Sequence, residues 1–268
     1  MMFGVFHLRR VRWLALALIA ASCDGGPLIP LTVPGYFELV SVNGQPLPYL
    51  SPPSSGFGAV SIWRGDLVLR PDGTFRWGVG GFPGFGWAVD GSYSVGGQEL
   101  VFRTRTEPHN EFTAMRSGDS IEFEVSQELS DTLRLTYRRA HRTAPAMPGD
   151  TYRLTSINGR TGEPVVFHDT TINDRHEVGT VLDSLFFSDG VFFRRHRIER
   201  FLVSGPEGVM LAGEENSIQW GAFERGEGWV RLSYYDAQGR DSLSIAGDTL
   251  IRRTPLITGL REERYTTP

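Results

Sequence analysis

From residue 35 onward, apolar and polar residues alternate with a period of two in short runs. "ELVSV" (38–42), "IEFEV" (121–125), "LRLTY" (133–137) and "RLTSI" (153–157) each place every second side chain on one face of a strand. No stretch after residue 23 carries a helical stripe of ten or more residues. Asn43-Gly44, Asp72-Gly73, Asn158-Gly159 and Asp189-Gly190 follow or join such runs, and these pairs accept the positive φ values of tight hairpin turns. The pattern predicts an all-β chain of short antiparallel strands.

The pattern also repeats. "GYFELVSVNGQPLP" from Gly35 matches "DTYRLTSINGRTGEP" from Asp150, aligning Phe37 with Tyr152, Leu39 with Leu154 and Asn43 with Asn158. "LVLRPDGTFRW" (67–77) matches "SLFFSDGVFFR" (184–194), and "GSYSVGGQELVF" (91–102) matches "GAFERGEGWVRL" (221–232). We pair "SDTLRLTYRR" (130–139) with "GDTLIRR" (247–253) as the last of the series. Matches in one order imply a duplication. Each copy holds about eight strands in about 110 residues, which suits an up-and-down β-barrel, with a small β-sandwich as the alternative. A closed barrel is favoured because it leaves no sheet edge exposed. The expected organisation is repeat 1 at 35–139, a linker at 140–148, repeat 2 at 149–254 and a C-terminal tail at 255–268.

Ahead of the repeats, Arg9, Arg10 and Arg12 precede "WLALALIAA", an apolar run too short to span a bilayer, which takes about 20 residues. Ala20, Ala21 and Ser22 then lead to Cys23, the single cysteine of the chain. This segment resembles the precursors of bacterial lipoproteins. The resemblance implies a signal peptide at 1–22, acylation of Cys23, a lipidated tether at 23–34, and a protein anchored to a membrane of the bacterial cell envelope. Acyl chains contribute about 0.8 kcal/mol per buried CH₂, so several chains hold a protein firmly at a membrane.

The repeats in turn resemble the lipocalin-like group of small bacterial lipoproteins. In that superfamily a glycine and an aromatic residue open the first strand, and an arginine near the last strand packs across the ring. Here Gly35 precedes Phe37 and Gly149 precedes Tyr152, with Phe and Tyr where the family has Trp. The resemblance implies closure pairs of Phe37 with Arg138 or Arg139, and of Tyr152 with Arg252 or Arg253. A guanidinium over a ring face gains roughly 0.5–2 kcal/mol.

Composition narrows the function. All 27 basic residues are Arg, so phosphate-cradling and Schiff-base lysines are excluded. Removal of residues 1–22 takes away three Arg, leaving 24 against 31 Asp and Glu, a formal charge of −7 that disfavours nucleic acid as a partner. Neither a G-x-S-x-G elbow, an H-E-x-x-H pair nor a C-x-x-C spacing occurs. "HDTTINDRHEVG" carries His168, Asp169, Asp174, His176 and Glu177, with His196 later, but as a polar insertion it reads as a solvated loop rather than a metal site. "FFRRHRIERF" (192–201) reads as a strand with arginines outward and rings inward, and Glu214-Glu215 and Glu262-Glu263 read as surface charge. The glycine-aromatic stretch "WGVGGFPGFGWAV" (77–89) offers Phe82, Phe85 and Trp87 either as plugs for the barrel top or as a binding lip. The expectation is a non-enzymatic envelope protein without cofactor or metal, anchored in the membrane, with a small apolar ligand in one barrel. The alternative is a structural or protein-interaction module whose barrels are filled by their own side chains, its protein partners unknown.

Overall fold

The computed structural model describes residues 33–52, 60–82, 86–105, 110–126, 132–141, 147, 149–170, 176–205, 208–236, 239–256 and 259–268. These residues form strands and turns, with no helix among them. The first copy runs β1 (Gly35–Val42), β2 (Gln45–Pro46), β3 (Tyr49–Leu50), β4 (Ser61–Leu69), β5 (Thr74–Phe82), β6 (Trp87–Gly96), β7 (Glu99–Thr104), β8 (Glu111–Ser117), β9 (Ser120–Ser126) and β10 (Thr132–Ala140). The second runs β11 (Thr151–Ile157), β12 (Arg160–Thr161), β13 (Val165–Thr170), β14 (His176–Ser188), β15 (Phe192–Gly205), β16 (Gly208–Gly226), β17 (Trp229–Tyr234), β18 (Arg240–Ala246), β19 (Thr249–Leu256) and β20 (Gly259–Thr266).

In each copy the long strands pair in chain order, and the first pairs with both the last and the next long strand, β1 with β10 and β4, β11 with β20 and β14. The chain therefore folds as two closed, antiparallel, eight-stranded barrels in tandem. Closure consumes every edge of the long-strand ring, leaving none of those strands with an unpaired side.

The twice-spelled Asn-Gly turn has a specific job. Asn43 and Gly44 have φ of 51° and 75°, Asn158 and Gly159 49° and 79°. Glycine adopts such angles freely and asparagine tolerates them. Beyond turning the chain, Asn43 donates its backbone N–H to the Arg134 carbonyl at 2.8 Å and accepts from the Arg134 N–H through its side-chain oxygen at 2.8 Å. Asn158 repeats both bonds with Glu262, at 2.8 and 2.7 Å. Each asparagine thus extends the ladder between the first and last strands past the turn, pinning the seam where the barrel closes.

That equivalence corrects the last of the four sequence matches. Arg134 corresponds to Glu262, and Tyr137, opposite Leu39, corresponds to Tyr265, opposite Leu154. The closing strand of the second barrel is β20, inside the segment expected as a C-terminal tail, while "GDTLIRR" is β19, the partner of β9 in the other copy. The mismatch arose because β20 alternates charged residues, not apolar ones, on its inner face.

The first barrel is filled by rings. Phe75 and Trp77 of β5, Phe102 of β7, Phe123 of β9 and Tyr137 of β10 are all buried and project inward. Trp77 stacks on Phe123 at 4.3 Å between centroids and donates Nε1–H to the Tyr137 hydroxyl at 2.6 Å; Phe102 stacks on Phe112 at 5.1 Å. Such pairs add about 0.5–1.5 kcal/mol each beyond the area they bury.

The barrels also pack on each other. Gly78 and Gly80 alternate with the inward-facing Trp77 and Val79, so the outer face of β5 is bare backbone at those positions. The Tyr235 ring of the second barrel lies against it, where a Cβ on Gly78 would fall 2.3 Å from the ring. Gly81 donates to the Tyr235 carbonyl at 3.2 Å, and Val191, Phe192, Ala222 and Tyr235 gather with Tyr36, Val68, Ala88 and Trp220 in an apolar cluster separate from either lumen.

Candidate functional site

Polar side chains are buried or gathered in three places, the two lumens and the cleft between the barrels. At one end of the first barrel, Arg139 lies over the Phe37 ring at 4.9 Å, donates to the Pro34 carbonyl at 3.0 Å and faces Asp119 at 3.4 Å. Arg138 stands opposite Glu38 in the ladder and is exposed. Among the described residues no arginine is stacked on the ring of Tyr152 in this way. Its ring meets Phe187 edge-on at 5.7 Å, while Arg252 and Arg253 sit on β19, which does not border β11. Two positions beyond Tyr265, where the first copy has Arg139, the second has Thr267, set against Gly149. The expected closure roles of Arg252 and Arg253 are therefore corrected: Arg252 turns into the lumen and Arg253 pairs outside with Glu262 at 2.9 Å.

Of the proposed binding lip, Trp87 packs edge-on against Trp77 at 4.4 Å and so joins the ring cluster of the first barrel. Phe82 ends β5 opposite Ser61; its side chain, like the whole of Phe85, lies outside the described residues. Cys23 lies outside them too, as do Asp174 and the side chains of His168, Asp169, His176 and Glu177. Among the described residues, no three His, Cys, Asp or Glu side chains converge as metal ligands. His196 faces Asn216 at 3.1 Å on the outer face.

The second lumen differs from the first. Half of it is apolar, around Tyr152, Leu185, Phe193 and Phe223. The other half is a buried ion network. Arg195 grips Asp183 through Nη2 at 2.5 Å and Nε at 3.1 Å; Arg197 bridges Asp183 at 2.8 Å and Glu263 at 3.2 Å, and also pairs with Glu199. Arg252 joins Glu263 at 3.1 Å to Asp241 at 3.0 Å, and Arg261 reaches Glu263 at 3.0 Å. The Tyr265 hydroxyl lies 3.0 Å from Asp183 and 3.1 Å from Glu263, its one proton shared between the two carboxylates, and Tyr234 donates to Asp241 at 2.8 Å. Two sequence expectations are overturned here. Arg195 and Arg197 point inward rather than outward because their strand alternation places them with Phe193, and Glu263 is 1% exposed rather than a surface charge.

At neutral pH this lumen holds an ionised carboxylate at Glu263 and a protonated phenol at Tyr265. Burial would raise the Glu263 carboxyl, but Arg197, Arg261, Arg252 and Arg195 outweigh it and hold the group at about 2. Burial drives the Tyr265 hydroxyl well above its ordinary value, with the Asp183 charge adding to it. A carboxylate that stays ionised and a phenol that stays protonated are poor partners for general acid–base catalysis, which works best with groups titrating near the operating pH.

The third place is a cleft of about 560 Å³ on the outer side of β1 and β4, roofed by residues of β16 to β18. Asp66, fully buried, forms its floor. It receives Arg64 as a fork at 2.7 and 3.1 Å, the Tyr36 hydroxyl at 2.7 Å and the Tyr235 hydroxyl at 2.8 Å. Burial pushes the Asp66 carboxyl up; the Arg64 charge and the hydrogen bonds from Arg64, Tyr36 and Tyr235 more than reverse it, so the group lies below its ordinary value. Arg64 also reaches Glu224 at 3.2 Å, linking the barrels. Sequence reasoning missed this cleft, although the glycines alternating with Trp77 and Val79 signalled an outer face made for close contact.

No protein family, curated protein or solved structure matches this chain.

Proposed function

We propose that the chain is a non-enzymatic, lipid-anchored protein of the bacterial cell envelope, whose two barrels are filled by their own side chains and act together as one interaction module. The observation that carries this reading is the ring packing of the first barrel, above all Trp77 stacked on Phe123 and bonded to Tyr137. A small apolar ligand would have to displace these rings. In the second lumen it would meet paired charges, and stranding them from their partners costs several kcal/mol. The anchor rests on the basic and apolar segment before Cys23 and on that cysteine standing alone. In its native membrane, Cys23→Ser should shift the protein from the membrane fraction to the soluble fraction. Native mass spectrometry of the extracted protein should give the mass of the acylated chain with no apolar molecule retained. A retained apolar molecule would restore the ligand-carrying reading, and unchanged membrane association of Cys23→Ser would remove the anchor.

A further inference from the structure

We propose that the inter-barrel cleft binds a neutral saccharide, a role that rests on the reading of the barrels as solid and places the ligand between them. A β-bulge shapes the cleft. The ladder between β4 and β5 shifts register between Ile62 and Arg64, leaving Trp63 as the unpaired residue. A bulge re-aims the side chains around it, and here both Trp63 and Arg64 line the cleft. In the second barrel β14 pairs with β15 without such a shift, so the device occurs in one copy. The indole is set by its edge: its Nε1 lies where a Cβ on Gly80 would come within 2.8 Å, so the bare strand seats the ring.

The surrounding groups select the ligand class. Arg64 is locked on Asp66, which Tyr36 and Tyr235 hold in turn, so the polar floor is preorganised rather than adaptable. Elsewhere in the lining of the cleft, Glu38 and Glu224 supply acceptors, and Arg64 and Arg240 supply donors. Charges of both signs line the cleft, with Arg64 already paired to Asp66 and Glu224, so an ion of either sign meets like charge beside opposite charge. Leu39, Leu47, Pro48 and Leu50 add an apolar wall, but an alkyl chain against it would also strip water from the charged groups with no compensating bond. A neutral sugar ring suits the set, with its C–H face on the indole and hydroxyls that donate to a carboxylate and accept from a guanidinium. The volume falls within the range of about 300–1,000 Å³ usual for small-molecule sites, which also favour interfaces between domains.

The test is saturation-transfer NMR on the mature protein in a mixture of maltotriose, N,N′-diacetylchitobiose, phosphocholine, glutarate and decanoate. The expected result is transfer to saccharide ring protons, reduced about tenfold or more by Trp63→Ala and weakened by Glu38→Gln, with thermal unfolding showing that each variant is folded at the temperature of the measurement. Absence of transfer to either saccharide, or transfer that Trp63→Ala and Glu38→Gln both leave intact, overturns the proposal. Transfer to decanoate insensitive to Trp63→Ala would instead overturn the solid-barrel reading, so the two failures are distinguishable.

Discussion

The Tyr235 hydroxyl donates to Asp66 Oδ2 at 2.8 Å, across 169 residues of sequence and from one barrel to the other. The same ring lies on the bare backbone of Gly78, so a single side chain joins an apolar contact to the satisfaction of a buried charge. Tyr235→Phe keeps the ring and removes one of the bonds that hold Asp66. The expected cost is about 1–3 kcal/mol in chemical denaturation, because the carboxylate stays buried with a donor missing. Tyr235→Ala should go further and split one calorimetric transition into two, as the barrels uncouple.

Gly78→Ala tests the same contact from the opposite side. A methyl group there falls 2.3 Å from the Tyr235 ring, so one barrel must shift outward. Overpacking of this kind costs about 1–3 kcal/mol. Combined with Tyr235→Ala, which vacates the space, Gly78→Ala should cost much less than it does alone; equal costs in the two backgrounds would place the clash elsewhere.

Asn43→Ala and Asn158→Ala should each destabilise by about 1–3 kcal/mol, through the lost bond to the closing strand and a left-handed φ that alanine resists. Asn→Gly at the same positions relieves the φ but not the bond, and should recover part of the loss. Urea denaturation of the four variants checks both parts.

How much of this was legible in the letters depends on which face a residue occupies. Where the inner face is apolar, as in "ELVSV" or "LRLTY", alternation identified the strands, and Asn43 and Asn158 marked the duplication. Strand β20 escaped because its inward residues, Arg261, Glu263 and Tyr265, are mostly charged, and a charged strand reads like a solvated tail. The usable signal was Tyr265 itself, placed relative to Glu262 as Tyr137 is to Arg134. Arg195 and Arg197 misled for the same reason, since a lumen that buries ions inverts the usual rule of charges outside. The cleft was invisible because it depends on how two separately legible barrels meet, and only the outward glycines at 78 and 80 hinted at it.

The ion network predicts a pH dependence of known sign. Glu263 sits at about 2 in the folded protein against an ordinary 4.5. A depressed carboxyl contributes stability that is fully present above about 4.5 and is lost as pH falls through about 2. Denaturant midpoints should therefore hold from neutrality to about pH 5 and then fall steeply. Glu263→Gln should lower stability at pH 7 by about 3–5 kcal/mol, since it leaves buried guanidiniums short of a counter-charge, and should flatten the acid limb.

The most direct test of the account is amide hydrogen exchange across residues 259–266 in the intact protein. If β20 closes the second barrel as β10 closes the first, its amides bonded to β11 and β19 exchange as slowly as those of residues 132–140. Rapid exchange of 259–266 beside a protected 249–256 would mean that the second copy is not closed by its own last strand, and would contradict the tandem of sealed barrels on which the rest is built.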